Sequence, residues 1–206
     1  MNEIKIVIAT RNSGKLKEFK EILSDFQIKL NNLDDFPPIL EVEEDGNTFE
    51  ENAIKKAVYT AEKLGVSAIS DDSGLVVEAL NGAPGVYSSR YAGENATDYE
   101  KCLKLLNEMK DKANRKAFFE CVIAIALPTG KFLTYSGRCE GLIGYETIGS
   151  LGFGYDPLFY YPKLKKTFGE LTGMEKGEVS HRGRALLKVK NDFDKILNWM
   201  ESNLCL

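Results

Sequence analysis

Histidine and cysteine are scarce in this chain of 206 residues. His181 stands alone, and Cys102, Cys121, Cys139 and Cys205 show no C-x-x-C spacing and lie far from it in sequence. That argues against a zinc site or a disulfide framework and predicts free thiols in a reducing compartment. Basic charge is not in excess either: the formal net charge is −4. The field of the whole protein therefore does not favour DNA or RNA, and any anionic ligand needs a local basic site. Long apolar runs are missing too. The run from Ile4 to Ala9 is interrupted by Lys5 and is too short for a signal peptide or a membrane span, which predicts a cytoplasmic protein. No repeat, low-complexity stretch or flexible linker divides the chain. Residues 1–206 are expected to form one domain, or two closely fused lobes.

What is present begins with strand, loop and helix. Ile4 to Ala9 has the β-branched character of a buried strand, and Leu16, Phe19, Ile22, Leu23 and Phe26 recur at helical spacing. The polar loop between them, Thr10 to Lys15, opens a helix, where free N–H groups and the helix dipole suit phosphate. It is not a Walker A loop: Ala9 stands where that pattern needs glycine, and Leu16 where it needs Ser or Thr. Read alone, Lys15 is either a phosphate ligand or a solvated helix charge.

Pro37-Pro38 marks an irregular connector, and the acidic run Glu41 to Asp45 leads to Gly46. Thr48 and Glu51 have capping-box spacing, so a helix is expected to about Leu64, ending at Gly65, with Phe49, Ala53, Ala57, Ala61 and Leu64 buried. Asn52 and Lys56, four apart, share a face of that helix and can reach one ligand.

The stretch Ser70-Asp71-Asp72-Ser73-Gly74 then separates two apolar runs, and it reads as a charged corner between two strands. Adjacent carboxylates repel unless a cation or a proton sits between them. The alternative is a plain turn, which all three residue types favour.

A strand is expected from Leu75 to Leu80, with a turn at Asn81-Gly82. A second capping box at Thr97 and Glu100 opens a helix expected to bury Leu103, Leu106 and Met109. Residues 117–127 and 132–143 flank Pro128-Thr129-Gly130 and predict a long hairpin forming the sheet core of a second lobe. Residues 149–159 are rich in glycine and aromatics, which suits close approach to a flat ligand, with Asp156 able to read ring-edge donors. Lys176 and the cluster His181, Arg182 and Arg184 lead into one C-terminal helix burying Leu186, Val189, Phe193, Ile196 and Met200. Cations at a helix start are disfavoured unless an anion or an acceptor-rich ligand compensates.

Taken together, ATRNSGK (9–15), EEDGNTFEENAIKKA (43–57), SDDSGL (70–75), PGVYSSRYAG (84–93), GFGYDPLF (152–159) and SHRGRAL (180–186) resemble the inosine triphosphate pyrophosphatase family, the Ham1-like dITP/XTP pyrophosphatases. The resemblance implies an α/β fold of two lobes around a long central mixed sheet flanked by helices, with the active-site cleft between the lobes and usually a homodimer. It also implies Mg²⁺-dependent hydrolysis of ITP, dITP and XTP to the monophosphate and pyrophosphate, a house-cleaning activity on the nucleotide pool.

By matching motif position, Thr10, Arg11, Asn12, Ser13, Gly14 and Lys15 look like the triphosphate loop, and Lys56 like a further phosphate contact. Many relatives have glycine where Arg11 stands. Glu43 and Asp72 resemble the metal ligands, Asp72 also the proton acceptor, and Ser73 a substrate contact. Phe153, Gly154, Tyr155, Asp156, Lys176, His181 and Arg182 resemble the base-recognition set. Two alternatives stand beside this reading: a purine-nucleotide sensor that does not hydrolyse its ligand, and a pyrophosphatase for modified pyrimidine triphosphates.

Overall fold

The computed structural model describes residues 4–26 and 28–204, with the side chains of Ser13 and Lys17 left out of that description. The role expected of the Ser13 hydroxyl and the thiol expected at Cys205 fall outside the described residues. The elements are β1 (Lys5–Ile8), α1 (Ser13–Ile22), β2 (Lys29–Asn32), α2 (Phe49–Leu64), β3 (Ser67–Val77), α3 (Asp98–Glu108), β4 (Lys116–Ala126), β5 (Phe132–Ile143), β6 (Phe159–Tyr161), β7 (Lys166–Thr167), α4 (Gly173–Val179), α5 (His181–Asn191) and α6 (Phe193–Leu204).

The strands make a seven-stranded sheet in the order β2-β1-β3-β4-β5-β6-β7. Strand β1 is parallel to β2, with Ile6 opposite Leu30, and parallel to β3, with Ile6 opposite Ser67. At the other edge β6 is antiparallel to both β5 and β7. Parallel neighbours need a crossover, and α1 supplies the one from β1 to β2. The expected mixed α/β sheet with helices is what the chain forms.

Two compact units divide the chain: residues 1–72, 122–136 and 185–206 make the first, and residues 73–121 and 137–184 the second. The hairpin β4–β5 was expected to be the sheet core of one lobe. Its strands, 11 and 12 residues long, instead contribute to both units.

In the first unit, α2 follows its sequence closely. The Thr48 hydroxyl accepts from the Glu51 N–H at 3.1 Å, while the Glu51 carboxylate accepts from Asn47 rather than returning to Thr48, so only half of the capping box forms. Gly65 ends the helix in the left-handed region at φ +66°, where a side chain would be strained. Phe49, Ala53, Ala57 and Ala61 are buried as expected, joined by Asn52 and Thr60, and Leu64 is half-buried. The small residues bring the helix backbone close to β3: the Ser70 hydroxyl donates to the Ala53 carbonyl at 2.5 Å. At the C-terminus the expected single helix is two, α5 and α6, divided at Asp192. The apolar stripe survives the division, with Leu186, Val189, Phe193, Ile196 and Met200 all buried and Phe193 packed on Phe26.

In the second unit both arms of the capping box at Thr97 and Glu100 are made. The buried face of α3 is rotated from the expected one: Cys102, Leu105 and Met109 enter the core, while Leu103 is exposed. The core around them is aromatic, with Phe119, Phe159 and Phe168 in mutual contact.

The largest departure concerns residues 70–74. No corner forms there; β3 runs unbroken from Ser67 to Val77 with both aspartates inside it and both buried. The second strand expected from Leu75 to Leu80 is the end of that same strand, followed by a short 3-10 turn at Glu78–Leu80. Turn propensity is overridden because side chains remote in sequence satisfy the carboxylates.

Candidate active site

Lys15, on the first turn of α1, places its ammonium 2.9 Å from the Asp71 carboxylate. Lys56, on α2, lies 2.6 Å from Glu44 and 3.7 Å from Asp72. Asn52, one turn before Lys56, donates to Asp72 at 3.1 Å. Asn52 and Lys56, expected to reach one ligand, both approach the Asp72 carboxylate.

Lys15, Asp71, Lys56 and Glu44 line a cavity of about 190 Å³ together with Thr10, Arg11 and the chain from Ile39 to Val42. Burial and the neighbouring Glu44 push Asp72 above the ordinary carboxylate value, against the pull of Lys56, Asn52 and Lys15. For Lys56, burial opposes the charge, but Asp72, Glu44 and Asp71 outweigh it and hold the ammonium above the ordinary lysine value.

The loop before α1 is less open than its sequence suggests. Asn12 caps the helix, its side-chain oxygen accepting from the Gly14 and Lys15 N–H groups at 2.9 and 3.1 Å. The Thr10 hydroxyl accepts from the Asn12 N–H. Two of the N–H groups that would face an anion are thus already occupied. The cationic groups facing the cavity are Arg11, Lys15 and Lys56.

Of the two adjacent glutamates in the acidic run, Glu44 lies at the cavity. Glu44 is half-buried, bonded to Lys56 and part of the cavity wall, while Glu43 is exposed and is not among the lining residues. Neighbours in an irregular chain need not share a direction, and sequence matching does not show which of two adjacent glutamates turns inward.

Among the described residues no group of three or more His, Cys, Asp or Glu side chains is arranged to hold a metal ion by itself. The donor set nevertheless fits a hard cation such as Mg²⁺, which takes one or two carboxylates and fills its remaining positions with water and phosphate oxygens. Asp72, raised by burial and by a second carboxylate, is a group whose charged form a cation would favour.

In the second unit, Arg182 donates to the Ser73 hydroxyl at 2.9 Å. Lys176, on α4, pairs closely with Asp156 and sits 4.5 Å from the centroid of the Phe153 ring; Arg182 is 5.8 Å from the same centroid. Phe153 is 43% exposed and so keeps a face for stacking.

Asp156 and Tyr155 differ from their expected roles. Asp156 is 2% exposed, bonded to Lys176 and to the Phe153 N–H at 2.8 Å, so it is turned inward rather than towards a ring edge. Burial raises its carboxyl above the ordinary value despite Lys176. Tyr155 belongs to the aromatic core and donates to the Ser88 carbonyl at 2.9 Å. Gly154, in the left-handed region at φ +62°, donates to Asp98 at 2.7 Å, which fixes the loop. His181 is buried and stacks on Phe119 with centroids 4.7 Å apart, a partner that its sequence position gave no sign of.

Lys176 and the pair His181-Arg182 come from different helices, brought together where Gly183 meets the Gly177 carbonyl. A Cβ on Gly183 would stand 1.7 Å from the Gly177 carbonyl oxygen, so only glycine lets α5 pass that close to α4. Ser180 caps the turn, its hydroxyl accepting from the Gly183 N–H.

The cavity of the first unit presents carboxylates and lysines, and the cluster of the second unit an exposed ring beside cations. A family model described as the Ham1 family matches residues 6–192, and the chain belongs to that family. Its relatives include a dITP/XTP pyrophosphatase of Desulfotalea psychrophila, 57% identical over 199 residues, which cover 97% of this chain and 89% of that one. Among solved structures, a HAM1 protein from Coxiella burnetii matches with a TM-score of 0.89 and 45% identity, covering 93% of this chain and 99% of that one. A nucleoside-triphosphatase / dITP/XTP pyrophosphatase from Mycobacterium abscessus matches at 0.78 and 40%, covering 90% and 98%. Among the described residues no helix is long and apolar enough to cross a membrane.

Proposed function

We propose that this protein hydrolyses dITP, ITP and XTP to the monophosphate and pyrophosphate, as a dITP/XTP pyrophosphatase. The observation that carries the reading is Asp72: a buried carboxylate of raised pKa, held by Asn52 and by Lys56, which lines a cavity with Lys15 and Arg11. A carboxylate so placed suits general-base work on water attacking the α-phosphorus, because its proton affinity lies closer to neutrality than that of a solvated aspartate. Lys15, Lys56 and Arg11 bind the β- and γ-phosphates and offset the charge that grows on departing pyrophosphate. Glu44 and Asp72 would hold Mg²⁺, which supplies neutralisation of phosphate charge and a lowered pKa for water.

On this reading base recognition rests on Phe153, Lys176 and Arg182. Phe153 stacks on the purine, and Lys176 and Arg182 offer N–H donors to the 6-oxo group of hypoxanthine or xanthine. Adenine presents a donor at that position, and a donor facing a donor is strongly rejected. His181 is fixed by its stack on Phe119. The same reading takes the protein as a cytoplasmic homodimer, which light scattering tests as a mass twice the 23.0 kDa of one chain.

Asp72→Asn tests the catalytic assignment. Release of pyrophosphate from dITP with Mg²⁺ is expected to fall roughly 10²- to 10⁴-fold, with the melting temperature unchanged or higher. Wild-type turnover in that variant would refute the assignment. Tight dITP binding by the wild type without any product would favour a sensor instead.

A further inference from the structure

Asn52 is 1% exposed, and both ends of its amide are engaged. Its Oδ1 accepts from the Gly46 N–H at 2.8 Å, and its Nδ2 donates to Asp72 Oδ2 at 3.1 Å. The chemistry of the partners fixes this orientation: a backbone N–H can only donate, and an ionised carboxylate only accepts. One side chain thus spans from the acidic loop that carries Glu44 to the strand that carries Asp72. The fit is tight at the loop end, since a Cβ on Gly46 would lie 2.7 Å from Asn52 Oδ1 and 2.9 Å from Glu51 Cβ. Lys56, one helical turn on, bonds Glu44 and approaches Asp72, so two residues of one face of α2 tie the acidic loop to Asp72.

We infer that Asn52 is a positioning residue whose amide sets the spacing of the Glu44 and Asp72 carboxylates, and that the Gly46 contact is the other half of the same strut. The inference rests on the proposed function for what the pair does, and not for the strut itself. A lysine joining two carboxylates can follow them as they move, because its ammonium is a point charge on a flexible stem. A planar amide held at both ends cannot. Removing such a supporting group from a metal site costs roughly 10- to 100-fold in metal affinity or activity.

Two variants perturb the strut from opposite ends. Asn52→Asp keeps an acceptor for the Gly46 N–H but turns the donor to Asp72 into a second carboxylate. Gly46→Ala leaves Asn52 intact and forces the loop away from it. Mn²⁺ serves as the probe, its binding read from the loss of the free-ion EPR signal in the presence of a non-hydrolysable α,β-methylene dITP. Both variants are expected to bind Mn²⁺ roughly 10- to 100-fold more weakly, and kcat for dITP is expected to fall while KM changes by less than about threefold. Melting temperature reports folding, and if one variant fails to fold the other still decides. Wild-type Mn²⁺ affinity and kcat in a folded variant would overturn the inference and leave the function untouched. Failure of the wild type to release pyrophosphate would refute the function, and the Mn²⁺ titration would still judge the strut.

Discussion

The two charged clusters are built on opposite imbalances. The one around the cavity gathers four carboxylates, Glu41, Glu44, Asp71 and Asp72, against the cations of Arg11, Lys15 and Lys56. The one around Phe153 gathers Lys176 and Arg182 against the carboxylate of Asp156. Burying charge is costly unless it is compensated, so each surplus indicates the ligand that would complete it. An acidic surplus beside lysines calls for a cation together with an anion, as in a metal-bound polyphosphate. A cationic surplus beside an exposed ring calls for an acceptor-rich aromatic. A purine triphosphate with a 6-oxo group has both ends.

Lys56→Met attacks the first cluster hardest, because it strips Glu44 and Asp72 of their shared cation and removes a phosphate contact. A charged hydrogen bond is worth about 1.5–3 kcal/mol, so kcat/KM for dITP is expected to fall by roughly 10- to 100-fold or more in steady-state assays. Discrimination between dITP and dATP is expected to stay near the wild-type ratio. The second cluster responds the other way. Lys176→Met made together with Asp156→Asn avoids leaving a buried carboxylate unpaired, and the amide can still accept from the Phe153 N–H. The dITP-to-dATP ratio of kcat/KM is expected to fall by roughly 10-fold, with kcat for dITP less affected. Equal loss on both nucleotides would place Lys176 outside base recognition.

Smaller effects follow from what supports the second cluster. Gly183→Ala forces α5 away from the Gly177 carbonyl and is expected to cost about 1–3 kcal/mol, seen as a lowered melting temperature with poorer discrimination. Asp98 gives the mildest change. Burial works against its carboxylate, but Lys101 and the Gly154 N–H outweigh that and hold it below the ordinary value. A depressed carboxylate stabilises the fold above its unfolded pKa of about 3.9, and that contribution is lost as pH falls through the lower folded value. Asp98→Asn is therefore expected to be slightly less stable at neutral pH and to lose less stability on acidification below about pH 4, measured by urea denaturation.

The sequence was most legible where local chemistry decides the backbone. Thr48 and Gly65 bound α2, Thr97 with Glu100 starts α3, and Gly130, at φ +81°, turns the hairpin. It was least legible where distant groups decide. Asp71 and Asp72 carry turn propensity, yet Lys15, Lys56 and Asn52 let them lie buried in an extended strand. Strands of two to four residues, β2, β6 and β7, and the seven-residue α4 are too short to show a period. The site residues were identifiable by type but not by direction. Glu43 against Glu44, and Asp156 facing Lys176 instead of solvent, are choices that only packing makes.

The phosphorus products of dITP hydrolysis, followed by ³¹P NMR with Mg²⁺ present, test the central claim most directly. The account predicts dIMP and pyrophosphate in equal amounts, with orthophosphate absent from the early time course. Orthophosphate and dIDP as the first products would contradict it, because attack would then fall on the γ-phosphorus and not where Asp72 is held to direct water.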